Sequence, residues 1–338
     1  MNINQVTNLV KTYSNSLGFE YCGIARAEAL PDEARKLENW LSKGFHASMN
    51  YMEKHFEMRV DPTRLVPGAK SVITMLLNYY PVNDPPSGIP KISKYAYGKD
   101  YHDIIKGKLK EFLTRIQSNI GQIHGRGFVD SAPVLERAWA QRSGLGWIGK
   151  NGNLINRKSG SFLFIATLIT DLELEYDDPY AADYCGTCTR CVDACPTEAI
   201  MDGKVIDGGR CISYLTIELK DQIIPQAMKG KFDGWIFGCD ICQDVCPWNR
   251  FSKASGEAGL NPLPGLFELT ATDWAEMTED SFRKNFGKSA LARAKLSGIK
   301  RNVRFAINAE SHDPDSIITN PENKNDLKLG SSHNDQHI

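Results

Sequence analysis

The sequence lacks an excess of charge of either sign and a long hydrophobic run, and no leader segment is expected from its first residues. Its 338 residues carry 40 lysines and arginines against 41 aspartates and glutamates, which gives a formal net charge of −1. A polyanionic partner would therefore have to meet a local basic patch. No apolar run approaches the roughly 18 residues of a membrane-spanning helix, and the first residues do not resemble a signal peptide. We expect a cytoplasmic protein without a membrane contact.

Cysteine, in contrast, is concentrated in one stretch: eight of the nine cysteines lie between residues 185 and 246. The first four follow the spacing C-x2-C-x2-C-x3-C-P, which bacterial ferredoxins use to hold [4Fe–4S] clusters. A single cysteine and a C-x2-C-x3-C-P group complete a set large enough for two cubane clusters. In two-cluster ferredoxins the cysteine before the proline binds the other cluster. We therefore assign cluster one to Cys185, Cys188, Cys191 and Cys246, and cluster two to Cys195, Cys211, Cys239 and Cys242.

Two other uses of such cysteines have to be weighed. Four-cysteine zinc sites also contain C-x2-C pairs, but a zinc site does not explain three interlocked steps and two Cys-Pro exits. Disulfides require an oxidising compartment, which the lack of a signal segment does not favour. The ninth cysteine, Cys22, lies in an apolar run and is expected to be a buried thiol rather than a ligand.

Hydrophobic periodicity predicts a mixture of helices and strands ahead of the cysteines. Helices are expected at residues 3–17, 31–42, 102–120 and 134–142, and strands at residues 21–25 and 71–80. The strongly β-prone residues 161–171 are expected to form a hairpin with residues 153–156. Residues 262–309 are expected to be helical, and the polar residues after them to be disordered.

Two short motifs resemble cofactor fingerprints, but their context is wrong. GLGWIG at residues 144–149 matches the dinucleotide pattern G-x-G-x-x-G, which needs a strand before it and a helix after it. Here a helical segment precedes the motif and a β-prone segment follows, so no NAD or FAD site is expected. Asp100 and His102 begin a D-x-H-x-x-G pattern that supplies a cobalamin ligand, but Ile105 occupies the glycine position. His102 is therefore expected to be a polar residue at a helix start.

Asp130 stands at the end of an apolar strand and is followed by small residues and a helix. This is a position where α/β folds place functional groups. A half-buried carboxyl at such a mouth could have a raised pKa and donate a proton. Asp130 or Ser131 could equally serve as the N-cap of the helix that Pro133 introduces. Both interpretations are open from the spacing alone.

Two stretches have charge of one sign. Residues 171–184 contain six carboxylates and no base, which is typical of a solvated linker or, alternatively, of a docking face for a basic electron-donor protein. Residues 283–304 contain eight bases and no acid, which favours a role in binding a polyanion. Three of those bases, Arg293, Lys300 and Arg304, are spaced to share one face of a helix.

Four of these segments, together with the first cysteine group, resemble the epoxyqueuosine reductase family. They are VDSAPVLER at residues 129–137, GLGWIGK at 144–150, RCISYLTIE at 210–218 and GCDICQDVCPWNR at 238–250. The likeness covers roughly residues 5–305, and several of its motifs lie outside any ferredoxin.

The resemblance implies an α+β fold with three parts: a nitroreductase-like α/β cobalamin-binding domain, a ferredoxin-like module with two [4Fe–4S] clusters, and a short, basic, helical C-terminal region that contacts tRNA. We expect these parts at residues 1–175, 176–252 and 253–310, with a disordered tail at residues 311–338. Longer family members append HEAT-like repeats that help to bind the tRNA, whereas this chain offers only the short helical region.

The resemblance also implies an activity, which is the reduction of the epoxide of epoxyqueuosine at the wobble position of tRNA to the cyclopentene of queuosine. The implied cofactors are the two clusters and a base-off cobalamin. The implied electron donor is a low-potential carrier such as flavodoxin or ferredoxin, and we expect a monomer. Asp130 matches the proton donor of the family. The residues expected to line the corrin are Arg59, Asp130, Asn153, Asn156, Glu218 and Asp240.

Two other functions are compatible with the cluster pattern. A corrinoid enzyme similar to reductive dehalogenases, acting on a small molecule, would share the corrin and the clusters but would have no use for the basic residues 283–304. A plain electron-transfer ferredoxin would not need the structured residues ahead of the clusters. Bound cobalamin separates either enzyme from the ferredoxin, and tRNA binding that weakens with salt separates the two enzymes.

Overall fold

The computed structural model describes residues 1–220 and 223–307, so the tail expected at residues 311–338 lies outside the described residues. The strands are β1 Tyr21–Arg26, β2 Ser71–Asn78, β3 Lys91–Ile92, β4 Gly125–Phe128, β5 Trp147–Ile148, β6 Leu154–Ile155, β7 Leu163–Thr170, β8 Ile200–Met201, β9 Val205–Ile206 and β10 Trp235–Phe237. The α-helices are α1 Ile3–Ser16, α2 Pro31–Ser42, α3 Phe56–Val60, α4 Pro62–Leu65, α5 Tyr101–Ile120, α6 Glu136–Arg142, α7 Arg190–Asp193, α8 Ile212–Ile217, α9 Ile241–Asp244, α10 Ala271–Glu276, α11 Glu279–Phe286 and α12 Lys295–Ile307.

A four-stranded antiparallel sheet in the order β1–β2–β7–β4 forms the centre of the fold. β2 is buried along its whole length, as its continuous apolar sequence predicts for a strand covered on both faces. α5 packs on the face that carries Ile73 and Met75. α6 packs on the opposite face, which carries Val72 and Leu76. The fold is therefore a mixed α+β arrangement with helices on both sides of one sheet.

The predicted helices ahead of the cysteines are confirmed to within two residues. α1 follows a capping box between Asn2 and Gln5 and ends ahead of Gly18, whose φ of +88° favours glycine. α2 begins with Pro31 at its first position and has acidic residues in its first turn, which suit the positive end of the helix dipole. Within the described part of the chain, no helix combines the length and the apolar character that a membrane crossing requires.

The predicted hairpin between residues 153–156 and 161–171 is wrong. β6 pairs with β5, with Trp147 opposite Ile155, whereas β7 pairs with β2 and β4 in the central sheet. Gly146 permits the β5–β6 hairpin because a Cβ at that position would collide with the carbonyl of Ile155. The long β-prone run thus finds its partners in distant segments rather than in its neighbour.

The C-terminal helices share the main hydrophobic core with the first part of the chain. Trp274, Leu291 and Ile299 belong to the same buried cluster as residues of α1, β2 and α5. The thiol of Cys22 packs against this core, and burial raises its pKa to about 12, as expected for a thiol that is not a ligand. The boundaries at residues 175, 252 and 310 stay predictions.

The helical stretch predicted at residues 262–309 is interrupted. A 3-10 turn at Ala290–Ala294 precedes α12, and Lys295, the first residue of α12, breaks the helical path with a φ of +58°. Arg293 is therefore outside the helix that carries Lys300 and Arg304, and the prediction that these three bases share one helical face is wrong. Residues 308 and 309 lie outside the described residues.

Candidate active site

Asp130 lies in a tight turn between β4 and α6. Its φ is +54°, in the left-handed region that a non-glycine residue adopts only when its surroundings hold it there. The carboxylate of Glu136, the first residue of α6, accepts the Asp130 backbone N–H at 3.0 Å. α6 begins without a side-chain cap, so the alternative that Asp130 or Ser131 caps this helix is wrong.

Two residues from the start of α5 contact the Asp130 carboxylate. The Tyr101 hydroxyl donates to Oδ2 at 2.6 Å, and His102 Nε2 lies 3.5 Å from the same oxygen. The other ring nitrogen of His102, Nδ1, lies 2.8 Å from Asp100 Oδ1. The Tyr101 ring stacks on Phe164 of β7 with a centroid distance of 4.2 Å, which fixes its position. The side chain of Asp130 is nevertheless 66% exposed, so a substrate can reach it.

Hydrogen bonding determines the charge states around Asp130. Desolvation acts to raise the pKa of Asp130, but hydrogen bonds with His102 and Tyr101 outweigh it and hold the pKa below its usual value. Burial acts against the charged form of His102, yet hydrogen bonds with Asp100 and Asp130 raise its pKa to about 9. Burial raises the pKa of Glu136 to about 8. The expectation of a raised pKa for Asp130 is wrong, and near neutral pH the acidic protons lie on His102 and Glu136.

His102 should make stability depend on pH above neutrality. Its pKa rises from the ordinary 6.5 to about 9 on folding, so its contribution is fully present below pH 6.5 and is lost as pH rises through about 9. We expect His102→Gln to reduce the slope of the unfolding free energy against pH in this window, measured by chemical denaturation. His124→Gln, at an exposed position, is the control. An unchanged slope in His102→Gln would contradict the assigned pKa.

A second group of charged side chains lies within electrostatic reach of Asp130. Arg293 donates from Nε and Nη2 to the two Glu218 oxygens at 3.0 and 2.9 Å, which is a bidentate pair. Arg59 is 8% exposed; its Nη2 donates to the Tyr51 carbonyl at 3.0 Å, and its Nε is buried without a hydrogen-bond partner. Burial and then the charge of Glu218 raise the pKa of Tyr51 to about 12, with Asp130 adding to the effect. These side chains therefore lie around Tyr51 beside Asp130, and we call this group the Asp130 cleft.

Asp240 links this cleft to the cysteines. Its carboxylate is buried and accepts the backbone N–H of Lys94 at 2.7 Å, and burial raises its pKa to about 6. Burial, followed by the charges of Asp130, Asp240 and Glu218, raises the pKa of Tyr95. The structure thus brings together four of the six residues that the resemblance predicts to line the corrin: Arg59, Asp130, Glu218 and Asp240.

The other two residues in that prediction, Asn153 and Asn156, lie in and next to the β5–β6 hairpin. Asn156 Nδ2 donates to the Leu145 carbonyl at 2.8 Å, and its Oδ1 accepts the Lys158 backbone N–H at 2.9 Å. The backbone N–H of Asn153 is held by Asn151 Oδ1 at 3.2 Å. These bonds shape the hairpin, and a corrin contact of either asparagine stays a prediction.

Four cysteines line one shallow pocket that is open to solvent: Cys185, Cys188, Cys191 and Cys246. Their thiols interact electrostatically, because burial and then the charges of Cys246, Cys185 and Cys188 raise the pKa of Cys191. Cys246, which precedes a proline in the second cysteine group, therefore lies with three cysteines of the first group. This is the neighbour set that the spacing predicts for cluster one.

The remaining four cysteines form a second set. Burial raises the pKa of Cys239, and the charges of Cys211 and Cys195 add to the effect. The pKa of Cys242 is raised in the same way, by burial and then by the charges of Cys211 and Cys239. Among residues 1–220 and 223–307, no three metal-binding side chains converge on a single ion. The thiolates of a cubane cluster lie further apart than the ligands of a single metal ion, because each thiolate bonds a different iron.

Comparison with known proteins identifies the family. Residues 59–131 match the family described as Epoxyqueuosine reductase QueG, DUF1730, and residues 184–249 match the 4Fe-4S double cluster binding domain. An epoxyqueuosine reductase from Cyclobacterium marinum is 56% identical over 311 residues, which cover 91% of this chain and 99% of that protein. The chain belongs to the epoxyqueuosine reductase family. The predicted resemblance and the predicted fold class are thereby confirmed.

Two solved structures of epoxyqueuosine reductases have the same fold. One, solved with an epoxyqueuosine-modified tRNA-Tyr stem loop, is 29% identical and superimposes with a TM-score of 0.85 over 91% of this chain and 82% of that chain. The other, from Bacillus subtilis, was solved with its catalytic aspartate loop swung out of the active site; it is 28% identical, with a TM-score of 0.85 and the same coverage.

Sequence reasoning missed three residues of this candidate site and misjudged a fourth. Tyr101, Glu136 and Arg293 were not expected to contact Asp130 or Glu218, and His102 was expected to be only a polar residue at a helix start. His102 does lie in the first turn of α5, but it also faces Asp130. A possible signal was the density of aromatic and polar residues from Lys94 to His102, which is unusual for a plain helix start.

Proposed function

We propose that this protein reduces the epoxide of epoxyqueuosine at the wobble position of tRNA, giving the cyclopentene of queuosine. The reaction consumes two electrons and two protons and releases the epoxide oxygen as water. The observation that carries the proposal is the exposed Asp130 carboxylate, contacted by Tyr101 and His102 and close to Asp240, which adjoins the second of two sets of four cysteines. The family relationship and the tRNA stem loop bound to a solved relative support the substrate.

The residues present fit the proposed cofactors. Two sets of four thiols match two [4Fe–4S] clusters, and the matching double-cluster family supports them. The buried, unpartnered Nε of Arg59 offers a donor that an amide or phosphate oxygen of a base-off cobalamin would satisfy. Arg59, Asp130, Asn153, Asn156, Glu218 and Asp240 are the residues proposed to hold the corrin. When bound, the clusters and the corrin would supply the two electrons.

The residues of the chain would supply the proton. Asp130 is anionic at neutral pH in this structure, and His102, with a pKa of about 9, is the neighbouring group that carries a proton toward Oδ2. A bound substrate would exclude water from Asp130 and favour its neutral form. Asp130 would then protonate the departing oxygen and recover its proton from His102, while Tyr101 holds the carboxylate in place. In the Bacillus subtilis relative the catalytic loop is swung out of the active site, which is consistent with the exposed turn that carries Asp130 here.

The basic segment 283–304 would contact the tRNA. Some of its bases are used within the protein, since Arg293 pairs with Glu218 and Arg301 donates to the Leu215 carbonyl. Lys284 and Lys288 are exposed. The Lys288 carbonyl accepts the backbone N–H of Asp100 at 2.9 Å, so this part of the segment adjoins the His102–Asp130 site.

Lys288→Ala should weaken tRNA binding without changing the sequence preference. Removal of one phosphate contact should lower the slope of log K against log salt concentration by about one. The measurement is a set of binding titrations with the tRNA at several salt concentrations. Lys70→Ala is the control, because Lys70 precedes β2 at the end of the sheet away from Asp130. Equal slopes of log K against log salt concentration for Lys288→Ala and the wild type would show that Lys288 does not contact the tRNA.

The interlocked cluster assignment predicts which cluster each cysteine affects. Cys195→Ser should alter the spectrum of cluster two, and Cys246→Ser that of cluster one, as followed by electron paramagnetic resonance of the reduced protein together with iron analysis. Cys22→Ser should leave both spectra and the iron content unchanged, because Cys22 packs against the main core. The opposite pairing of variants and spectra would contradict the assignment.

The remaining parts of the proposal concern the electron donor, the oligomeric state, the location and the domain limits. We propose an external low-potential donor of the flavodoxin or ferredoxin kind, a monomer, a cytoplasmic location and domain limits at residues 175, 252 and 310.

A test of the function in cells is complementation of a bacterial strain that lacks its own epoxyqueuosine reductase. Expression of this protein should convert the epoxyqueuosine in bulk tRNA to queuosine. Persistence of the epoxide at normal protein levels would count against the proposal.

A further inference from the structure

A group of exposed arginines and aromatic side chains surrounds the four cysteines of cluster one. We define this cluster-one face by Arg157, Arg190, Arg250, Tyr184, Trp248 and Phe251. We propose that the cluster-one face is the docking surface for a small electron-carrier protein whose own redox centre is ringed by acidic residues. This inference rests on the proposed function, because that function requires an external one-electron donor.

Cluster one is the set of cysteines nearer the surface. Its four thiols line the pocket that opens to solvent, and Arg190, Tyr184 and Trp248 line the same pocket. Cysteines of the second set instead pack against a hydrophobic core that includes Leu215 and Phe232. The second set also adjoins Asp240, which belongs to the Asp130 cleft. An electron from outside would therefore enter at cluster one and leave from cluster two toward the cleft.

The aromatic residues of this face contact one another and the cysteines. Trp147 beneath them donates from Nε1 to Cys185 Sγ at 3.5 Å, and its ring lies 5.0 Å from that of Trp248 and 5.3 Å from that of Tyr184. Tyr184 and Phe251 are 41% and 38% exposed. Exposed aromatic side chains grouped within a charged rim are typical of protein–protein interfaces.

The charge of the face is positive. Arg157 lies over the Tyr184 ring, and Arg250 lies over the Trp248 and Phe251 rings. None of Arg157, Arg190 and Arg250 forms an ion pair with a carboxylate among residues 1–220 and 223–307.

Two acids close in sequence to this face have other partners. Asp183 pairs with Lys204 at 2.7 Å, and Asp193 accepts a hydrogen bond from the Thr189 hydroxyl at 2.7 Å. Arg250 Nη1 donates to the Pro247 carbonyl at 2.6 Å, but this bond does not neutralise its charge. The charges of the three arginines are therefore available to an acidic partner.

The contacts of the acidic residues 171–184 favour the linker interpretation over a docking face for a basic donor. Asp177 pairs with Lys11 at 2.6 Å and accepts the backbone N–H of Ile24 at 2.8 Å. Glu173 lies 3.4 Å from Lys70 Nζ, Glu175 accepts from the Asn4 amide, and Asp171 accepts from the His124 backbone. These bonds tie the segment to the sheet and to α1. This favours the linker interpretation and leaves the positive face as the entry surface.

The transfer at this surface is a one-electron step. The carrier is oxidised by one electron and cluster one is reduced by one electron, with no bond made or broken. Two such transfers, with two protons from solvent, balance the reduction of one epoxide to an alkene and water. Charge complementarity would increase the rate of encounter and make it depend on salt.

Charge reversal on the holoprotein tests the docking surface. Arg157→Glu, Arg190→Glu and Arg250→Glu are compared with Lys110→Glu, which is exposed on α5, on the face of the sheet opposite α6 and the hairpin. Reduced flavodoxin is the probe. Two quantities are measured: the Kd of the carrier at several salt concentrations, and the rate at which the cluster absorbance bleaches in stopped flow without tRNA. Iron content and circular dichroism confirm that each variant is folded and loaded.

The proposal predicts that each reversal raises the Kd about tenfold or more at low salt, slows cluster bleaching by flavodoxin, and leaves bleaching by a chemical reductant unchanged. Kd values equal to that of Lys110→Glu would overturn it. Unchanged carrier binding combined with weaker tRNA binding would also overturn it and would assign the face to tRNA. Neither readout needs epoxyqueuosine, so the docking test does not depend on the epoxide reaction. Failure of the proposed function would be seen in a separate reaction, in which the wild-type protein and the chemical reductant form no queuosine.

Discussion

Asp130→Asn should lower the rate of queuosine formation by about 10²- to 10⁴-fold, which is the usual contribution of a positioned general acid. Asparagine tolerates the left-handed backbone of this position, where φ is +54°, and can still accept the Tyr101 hydrogen bond. It cannot transfer a proton. The measurement is single-turnover nucleoside analysis with loaded protein and a chemical reductant.

A matched control for this variant is Asp233→Asn. Asp233 is exposed and has a φ of +47°, so the same substitution is made in a similar backbone conformation. Cluster content, cobalamin content and tRNA affinity should be unchanged in both variants. If Asp130→Asn turned over at the wild-type rate, Asp130 would not be the proton donor and His102 would have to act directly.

Asn302→Leu should lower the free energy of unfolding by about 2–5 kcal/mol. Asn302 is fully buried, and its Nδ2 donates to the carbonyls of Thr216 and Ile236 at 2.8 Å each. Leucine would leave both carbonyls buried without these bonds, and each such group costs roughly 1–3 kcal/mol. We expect the midpoint of thermal unfolding to fall by about 4–10 °C.

The control for this stability prediction is Asn119→Leu. Asn119 is an exposed asparagine of α5 whose amide bonds only to the Arg115 carbonyl one turn earlier. Its replacement should change the midpoint by little, because water can satisfy the freed carbonyl. A similar midpoint for both variants would show that Asn302 is not the link that holds α12 to α8 and β10.

The cysteine pattern predicted the neighbour sets because both the spacing and the ligand chemistry are local. Three cysteines at two-residue intervals bind one cluster, and the segment that ends in Cys-Pro leads away to the other cluster. The spacing alone therefore predicts that Cys246 lies with Cys185, Cys188 and Cys191, as the structure has it. α2 was equally predictable, since Pro31 and its acidic first turn mark the start of the helix in the sequence.

The strand pairing was less predictable because partners come from distant segments. β7 pairs with β2 and β4, which precede it by many residues, and the sequence of β7 contains no information about which apolar strand it will join. The short β5–β6 hairpin was missed since its strands have two residues each. Its formation depends on the absence of a Cβ at Gly146 rather than on β-prone residues.

The environment of Asp130 shows the same limit at the active site. The sequence located Asp130 at a strand end, but it gave the wrong direction for the pKa because the groups that lower it come from α5. Tyr101 and His102 reach Oδ2 only after the sheet has brought α5 and β4 together. Local sequence thus located the candidate acid, whereas the groups that set its pKa are found only in the tertiary structure.

The most direct test of the proposed function is an anaerobic reaction with defined components. Purified protein loaded with clusters and cobalamin is incubated with a chemical reductant and tRNA that carries epoxyqueuosine, and the nucleosides are then analysed. The account predicts queuosine in the complete reaction and unchanged epoxyqueuosine when cobalamin is omitted. Intact epoxyqueuosine in the complete reaction, with clusters and cobalt visibly reduced and the tRNA bound, would contradict it.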